Sequence, residues 1–461
     1  MKANYINKII LAVLLFGLVS CDSELNFEPR QSIDATTALE TAQDIESAVV
    51  GAYAIMGGGS LYGTNLNVVP ELLASDTYFS WFGTFQSYRQ IALKTMDANN
   101  AEASRTWINA YRAINVANTI LANIDKISAG ATKDRLTGEA YFIRGSMFFE
   151  LVRLYGLPFS AGNTTTNLGV PINLIATTDD KLASSLGARK TVAEVYTQVI
   201  ADLNQAVTLI PNSNPTRATK FSALAMLSRV YLQQGNYTAA RAAADNVITN
   251  SGKSLTGTVG APFLNKNSSE SLFEIQQNDQ NNAGTSNDGL ATFYASLQGI
   301  GRADIRILAS FRNLYEATDK RRSDLIYSAV GARAGSTRYH TGKWIAFGSN
   351  ILVIRLSEMY LTRAECNLRL SLPFVGDSPT NDYNLVRNRA GATPALLVSS
   401  VQTILNERVL ELAFEGSRIH DLKRVKVSTG TFPYDSPKLV LPIPRREIDA
   451  NASLIQNPGY N

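Results

Sequence analysis

Cysteine and histidine are nearly missing: the 461 residues hold two of each, Cys21, Cys366, His340 and His420. Two cysteines make no disulfide framework. With two widely spaced histidines they also give none of the ligand spacings of a zinc cluster. Net charge is just as sparse, because 43 lysines and arginines stand against 39 acids for a formal charge of +4. Two of those lysines, Lys2 and Lys8, sit in the first stretch of chain. A balance so near zero withholds the electrostatic attraction on which nucleic-acid binding mostly rests, so no nucleic-acid partner is expected. The glycine motifs of nucleotide sites are missing too. Gly57-Gly58-Gly59 follows a helical pattern rather than a strand and reads as a helix end, and Gly342-Lys343 lacks the spacing and the hydroxyl of a phosphate loop. No G-x-S-x-G elbow and no H-E-x-x-H pair occurs. Little catalytic hardware is left, so no enzyme activity, no cofactor and no metal is expected.

What is present starts with a targeting signal. Lys2 and Lys8 form a basic start, and the apolar run from Ile9 to Val19 follows. That run is far short of the roughly 20 residues a spanning helix needs and has the proportions of a secretory signal core. It closes on Leu18-Val19-Ser20-Cys21, which resembles a bacterial lipobox. In that class the chain is cut before the cysteine, and the new amine and the thiol carry acyl chains. Several chains on one residue give stable anchoring. Residues 1–20 are therefore expected to be a lipoprotein signal peptide and Cys21 the lipidated residue, with Asp22 to Pro29 as a short tether. No later segment is long and apolar enough to cross a bilayer.

Hydrophobic residues at 45% and charged residues at 18% supply a sizeable core. The periodicity is mostly helical. Trp107, Tyr111, Ile114, Ala117, Leu121 and Ile124 mark one long helix, and Leu136, Ala140, Ile143, Met147, Leu151 and Leu154 mark the next, stopped by Gly156 and Pro158. Thr191-Val-Ala-Glu194 is a capping box that opens a third, which ends at Pro211. From Thr219 to Asn250, two helices are joined at Gly235-Asn236-Tyr237, with Ala240 and Ala244 small enough for close approach. That pair looks like a tetratricopeptide unit. Several pairs in one chain make a helical-repeat scaffold, a class that generally binds rather than transforms. Between Ser251 and Asn350, glycine, serine and asparagine become dense, and Leu272-Phe-Glu-Ile275 is a candidate strand in an irregular insertion. Helices are expected again at Ile351 to Leu370 and at Val401 to Lys423. The fold class is thus mainly α, a tetratricopeptide-like superhelix with a loop-rich insertion and minor β. We divide it into residues 1–20, a helical-repeat region at 21–250 and a region with the insertion at 251–461.

One carboxylate group invites a catalytic reading. Glu407, Glu411 and Glu415 share a helix face at separations that superficially suit a glycosidase pair. Three like charges in a row repel unless compensated, and Arg408, Arg418, Lys423 and Arg424 stand nearby. An ion-pair network is therefore expected in place of a catalytic pair.

The second half carries strings that resemble the SusD/RagB family of outer-membrane nutrient-binding lipoproteins of the Bacteroidetes. They are Asn406-Glu-Arg-Val-Leu-Glu-Leu-Ala-Phe-Glu-Gly416 with Arg418, Asp421-Leu422 and Arg424, then Leu441-Pro-Ile-Pro444, Glu447-Ile-Asp-Ala-Asn451 and Gln456-Asn-Pro-Gly-Tyr460. Upstream, Gly138-Glu-Ala-Tyr-Phe-Ile-Arg144, Leu151-Val-Arg-Leu-Tyr-Gly156 and Val386-Arg-Asn-Arg-Ala-Gly391 are similar as well, while His420 and Val425 stand where members usually carry aromatics. The resemblance implies a right-handed superhelix at the outer membrane, exposed at the cell surface. It also implies a SusC-type TonB-dependent transporter as partner, with the protein as its lid. Oligosaccharides are the commonest cargo of such proteins and peptides the cargo of the RagB branch. An extracellular scaffold or adhesin is the rival class.

A sugar offers flat C–H faces to aromatic rings and hydroxyls to polar rims. Two regions fit. Asp76-Thr-Tyr-Phe-Ser-Trp-Phe-Gly83 packs four aromatics into a segment without a helical stripe, and Asn281 to Arg302 offers Phe293 and Tyr294 amid asparagines, with Tyr339 and Trp344 following. In the family the site forms where the early loop meets the later insertion. The expected ligand contacts are Tyr78, Phe79, Trp81, Phe82, Tyr294 and Trp344.

Overall fold

The computed structural model describes residues 39–75, 78–177, 187–328 and 338–460. Cys21 and the signal peptide lie outside these residues, as do Asp76 and Thr77 of the aromatic segment.

Each long helix starts and stops where local chemistry dictates. Helix α1 (Ala42–Met56) opens with a Thr41–Asp44 capping box and ends at Gly57, so the glycine run is a helix end. After α2 (Asn65–Leu73) come strand β1 (Phe79–Trp81) and α3 (Gln86–Leu93). The Asn100 side chain accepts the N–H groups of Glu102 and Ala103 and starts α4 (Ala101–Asn123). Helix α5 (Ala131–Tyr155) stops at Gly156, and α6 (Val192–Leu209) opens on the Thr191–Glu194 capping box. Helices α7 (Lys220–Gln234) and α8 (Tyr237–Asn250) are joined through Gly235, whose φ of 74° is the left-handed geometry that glycine adopts freely. The remaining long helices are α9 (Leu356–Leu370), α10 (Pro379–Ala390) and α11 (Val401–Glu411), with a shorter α12 (Arg418–Arg424) after them.

From α4 to α10 each of these helices packs on the next, and α1 packs on α4, which is the continuous helical-repeat array expected from the sequence. Small residues set the spacing. A Cβ on Gly138 of α5 would come within 2.7 Å of Ile210, just past α6, and the Ser228 hydroxyl of α7 donates to the Ala240 carbonyl of α8 at 3.0 Å. Arg144 locks α5 to α6 through two bonds to Asp202, at 2.9 and 2.7 Å. Leu232, Ala240 and Cys366 form one of the buried apolar clusters, with Tyr231 and Tyr237 packed against it.

Strands of the insertion join β1 and the segment after the insertion in two antiparallel sheets. Strand β2 (Ser271–Ile275) pairs with β6 (Ile351–Arg355), and a four-stranded sheet runs β1, β3 (Ile305–Ile307), β5 (Tyr339–Thr341), β4 (Ile326–Ser328). Two boundaries differ from expectation. The segment Ile351–Arg355, read as the start of a helix, is a strand because its apolar, β-branched residues complete the buried edge of β2. The helix expected from Val401 to Lys423 is two helices. The chain breaks at Phe414 (φ 65°) and Gly416 (φ 75°), where it presses on α2 so closely that a Cβ on Gly416 would lie 2.5 Å from the Leu66 carbonyl oxygen.

Candidate ligand-binding site

Strand β1 alternates its side chains, with Phe79 and Trp81 on the core side and Ser80 and then Phe82 on the other. It pairs with β3 in the register Phe79–Ile307, Ser80–Arg306 and Trp81–Ile305, and the Phe82 N–H extends the ladder to the Asp304 carbonyl at 2.7 Å. The early aromatic loop and the later insertion therefore meet in one sheet. At their junction the Trp81 ring packs on Tyr88 and Phe293, with centroids 4.9 and 5.8 Å away, and its indole N–H finds no acceptor among the described residues. The next residues turn outward: Phe82 is 53% exposed and Phe85, at the start of α3, is 37% exposed. Gly83 lies between them. A Cβ there would sit 2.4 Å from Trp81 Cζ2 and 2.7 Å from Asp304 Cγ, so glycine is needed for the chain to cross over the indole.

Three arginines surround this edge. The Arg306 guanidinium lies 3.7 Å from the Phe82 ring centroid, and that of Arg302 lies 4.7 Å from the Phe85 centroid. Arg302 also donates to Asp304 at 3.0 Å and to the Thr84 hydroxyl at 2.9 Å, and Arg89 donates to the Gly83 carbonyl at 3.1 Å. Sequence reasoning missed Phe85 and the arginines. The available signal was the recurrence of a ring three residues after Phe82, just before a helix start.

Three of the six expected contacts are core residues instead. Phe79 is 1% exposed and stacks edge-on against Phe414. Tyr294 is equally buried and donates its hydroxyl to Asn67 Oδ1 at 2.9 Å, and Trp344 donates its indole N–H to the Phe414 carbonyl at 2.8 Å. All three gather around the turn at Phe414 and hold it against α2. Rings so buried offer a ligand little surface in this structure, which counts against Phe79, Tyr294 and Trp344 as contacts. Tyr78 is half-buried; its ring lies 5.3 Å from that of Phe311 and 4.1 Å from the Arg418 guanidinium.

Tyr78 and Arg418 open onto a groove of about 370 Å³ bounded by α11 and α12, with Leu405, Asn406 and Val409 on its wall. Glu71 also lines it. One carboxylate oxygen accepts the Gly416 N–H at 3.0 Å, the other has no partner among the described residues, and burial pushes the group up to about 7 against the opposing pull of Arg418. A wider cleft of about 680 Å³ is lined by Tyr53, Arg217 and the amides of Gln276, Gln277, Asn278 and Asn282.

Glu407, Glu411 and Glu415 do form an ion-pair network, but with other partners than their sequence neighbours. Arg321 donates to Glu407 at 2.7 Å and to Glu411 at 2.9 Å, Arg387 donates to Glu407 at 2.9 Å, and Arg355 and Lys343 both donate to Glu415. Glu407 and Glu411 are 1% and 2% exposed. The cations around Glu411 hold its carboxyl well below the usual carboxylate range in spite of burial. Arg408 and Arg424 instead pair with Asp421, and Lys423 donates to the Leu439 carbonyl. His340, His420 and Cys366 are each buried at separate places, and burial pushes the Cys366 thiol up to about 12.

Comparison with known proteins places this geometry in context. A family model described as "Starch-binding associating with outer membrane" matches residues 25–232, and a model of the SusD family matches residues 336–438. SusD-like protein P2 of Formosa agariphila is 27% identical across 98% of this chain and 99% of its own. A crystal structure of a putative sugar binding protein from Bacteroides vulgatus superposes with a TM-score of 0.81 at 27% identity, over 92% of this chain and all of that one. A laminarin binding SusD-like protein shares the fold at a TM-score of 0.72 and 23% identity, over 91% of this chain and 99% of its own.

Proposed function

Because the chain belongs to the SusD/RagB family, we propose that it is a lipid-anchored outer-membrane protein that binds oligosaccharides and hands them to a SusC-type TonB-dependent transporter. The observation that carries the ligand half of this reading is the pairing of β1 with β3. It sets the exposed rings of Phe82 and Phe85 beside a polar rim of Thr84 and Arg302, with the buried Asp304 holding Arg302 in place. Rings of that kind offer apolar faces to sugar C–H groups, and the rim offers donors and acceptors to hydroxyls. Trp81 supports the platform from beneath and Tyr78 extends it toward α12. Two structural neighbours fit the same ligand class: one is described as a putative sugar binding protein and the other as laminarin binding.

The site binds and does not transform. The carboxylates that superficially suit hydrolysis are buried against arginines, so they lack both a substrate face and a free proton-transfer partner. Anchoring rests on Cys21, and among the described residues no helix is long and apolar enough to cross a membrane.

The test is calorimetric titration of the purified protein against panels of oligosaccharides and of peptides, with a pull-down from gently solubilised membranes. The reading expects heat from at least one oligosaccharide class and recovery of a large outer-membrane barrel. Binding confined to peptides would favour the RagB-like alternative, and repeated pull-downs without a barrel would count against the transporter.

A further inference from the structure

Two leucines stand clear of the body between α10 and α11. Leu396 is 103% exposed and Leu397 is 74% exposed, and Leu385 on α10 adds a third at 43%. The loop that carries them is pinned on both sides. Asn384 of α10 exchanges two hydrogen bonds with Ala395, both at 2.8 Å, and the Val398 N–H donates to the Thr380 hydroxyl at 2.9 Å. Ala395 and Val398 also pack with Tyr383, Val386 and Ile404 in the apolar cluster beneath. The fixed neighbours on either side thus hold Leu396 and Leu397 outward.

Charge is withheld from the same face. From Asn381 to Asn406 the charged residues are Asp382, Arg387 and Arg389. Asp382 is fully buried against Arg363, Arg387 pairs with Glu407 and Glu316, and the Arg389 side chain is 5% exposed and pairs with Glu270 and Glu411. What reaches solvent between them is leucine, proline, and polar groups without charge such as Asn381, Asn388, Ser399 and Gln402. Lys320 beside Gly391, Glu316 and Asp377 border the face. Both acids are engaged within the chain, Glu316 by Arg387 and the Thr393 N–H, and Asp377 by the Ser378 N–H and the Asn381 amide.

That composition selects the occupant. An anionic leaflet or polysaccharide draws lysines and arginines to the contact, and this stretch exposes none. A neutral glycan needs an exposed ring, whereas the stretch holds a single aromatic residue, Tyr383, which is buried. Leucines framed by uncharged polar groups match the centre of a protein–protein interface, where charges are depleted because an unpaired charge is costly to bury. Resting on the reading above, which requires one protein contact of this kind, we propose that the loop between α10 and α11 docks on the transporter. Leu396 and Leu397 would seat in an apolar, uncharged recess at the mouth of the barrel.

The test is the pull-down of the tagged, full-length protein from gently solubilised membranes. Wild type is compared with Leu396→Asp/Leu397→Asp, with Leu396→Met/Leu397→Met, and with Ile455→Asp at another exposed apolar position. The aspartate pair lowers recovery of the outer-membrane barrel about tenfold or more, because it places unpaired charge inside the contact, while the methionine pair and Ile455→Asp keep it. Melting temperatures and oligosaccharide affinity stay at wild type, since both leucines are exposed and neither belongs to the Phe82–Phe85 edge. A photo-crosslinking residue at position 397 labels the barrel in whole cells, a readout independent of the aspartate pair. Unchanged barrel recovery in the aspartate pair, or crosslinks confined to lipid or to a second copy of this chain, overturns this proposal and leaves the transporter reading standing. No barrel recovered with wild type overturns both.

Discussion

The guanidinium of Arg306 lies 3.7 Å from the centre of the Phe82 ring, across two strands that come from opposite halves of the chain. Phe82 nonetheless stays 53% exposed, so the stack leaves ring surface for a ligand. Replacing Phe82 and Phe85 by alanine, singly, should weaken oligosaccharide binding by about 1–3 kcal/mol each, the size found for anchoring aromatics in interfaces. Melting curves should stay close to wild type for Phe82→Ala and fall slightly for Phe85→Ala, whose ring also packs edge-on against Tyr88 and Phe293. Trp81→Ala should behave differently. Its ring fills space between Tyr88 and Phe293, so a lowered melting temperature should accompany any loss of binding. Calorimetry paired with melting separates the two cases, and wild-type affinity in both phenylalanine variants would remove this edge from the site.

The buried charge network should be a structural dependency. Arg321 is 2% exposed and serves Asp319, Glu407 and Glu411 together. Arg321→Met would leave three carboxylates short of a partner and should cost about 3–5 kcal/mol in urea unfolding. Added salt should not recover it, since buried pairs are poorly screened. An unfolding midpoint unchanged from wild type would contradict this.

Glu71 gives a pH signature of known sign. Burial raises its carboxyl from an ordinary 4.5 to about 7, so between those values the folded chain holds a proton that the unfolded chain has released. The stability this group contributes is complete below about pH 4.5 and is lost as pH rises through about 7, an effect of about 3 kcal/mol. Glu71→Gln keeps the acceptor for the Gly416 N–H and removes the titration. The variant should therefore gain on wild type from pH 5 to pH 8, measured as the difference between paired thermal melts. A difference that is flat across that range would contradict the assignment.

Anchoring should depend on one atom. Cys21→Ala should move the protein out of the membrane fraction, and labelling with radioactive palmitate should disappear with it. A labelled Cys21→Ala protein would place the acyl chains elsewhere.

The local signals were legible in the sequence and the long-range ones were not. The Thr191–Glu194 capping box, the Gly57 helix end and the Gly235 turn stand where the sequence predicts them, because each is decided within four residues. Ile351–Arg355 reads as helix until β2, some 80 residues earlier, supplies its edge. The same holds for the rings. Phe79, Tyr294 and Trp344 stand in irregular segments, which makes them look free, yet the turn at Phe414 draws all three inward. Glu407 and Glu411 called for compensating cations, and the nearest arginines in sequence were the natural choice. Arg321, 86 residues before Glu407, takes that place because the insertion folds back over α11. The outward rings were half legible: Phe82 was named, whereas Phe85 and the three arginines needed the β1–β3 register to come together.

The most direct test of this account is a crystal structure of the protein with its bound oligosaccharide. The account predicts sugar rings against Phe82 and Phe85, with polar contacts to Arg302, Arg306 and Thr84. A saccharide seated instead in the groove beside Glu71 or the cleft beside Gln276, with the Phe82–Phe85 edge left bare, would contradict it.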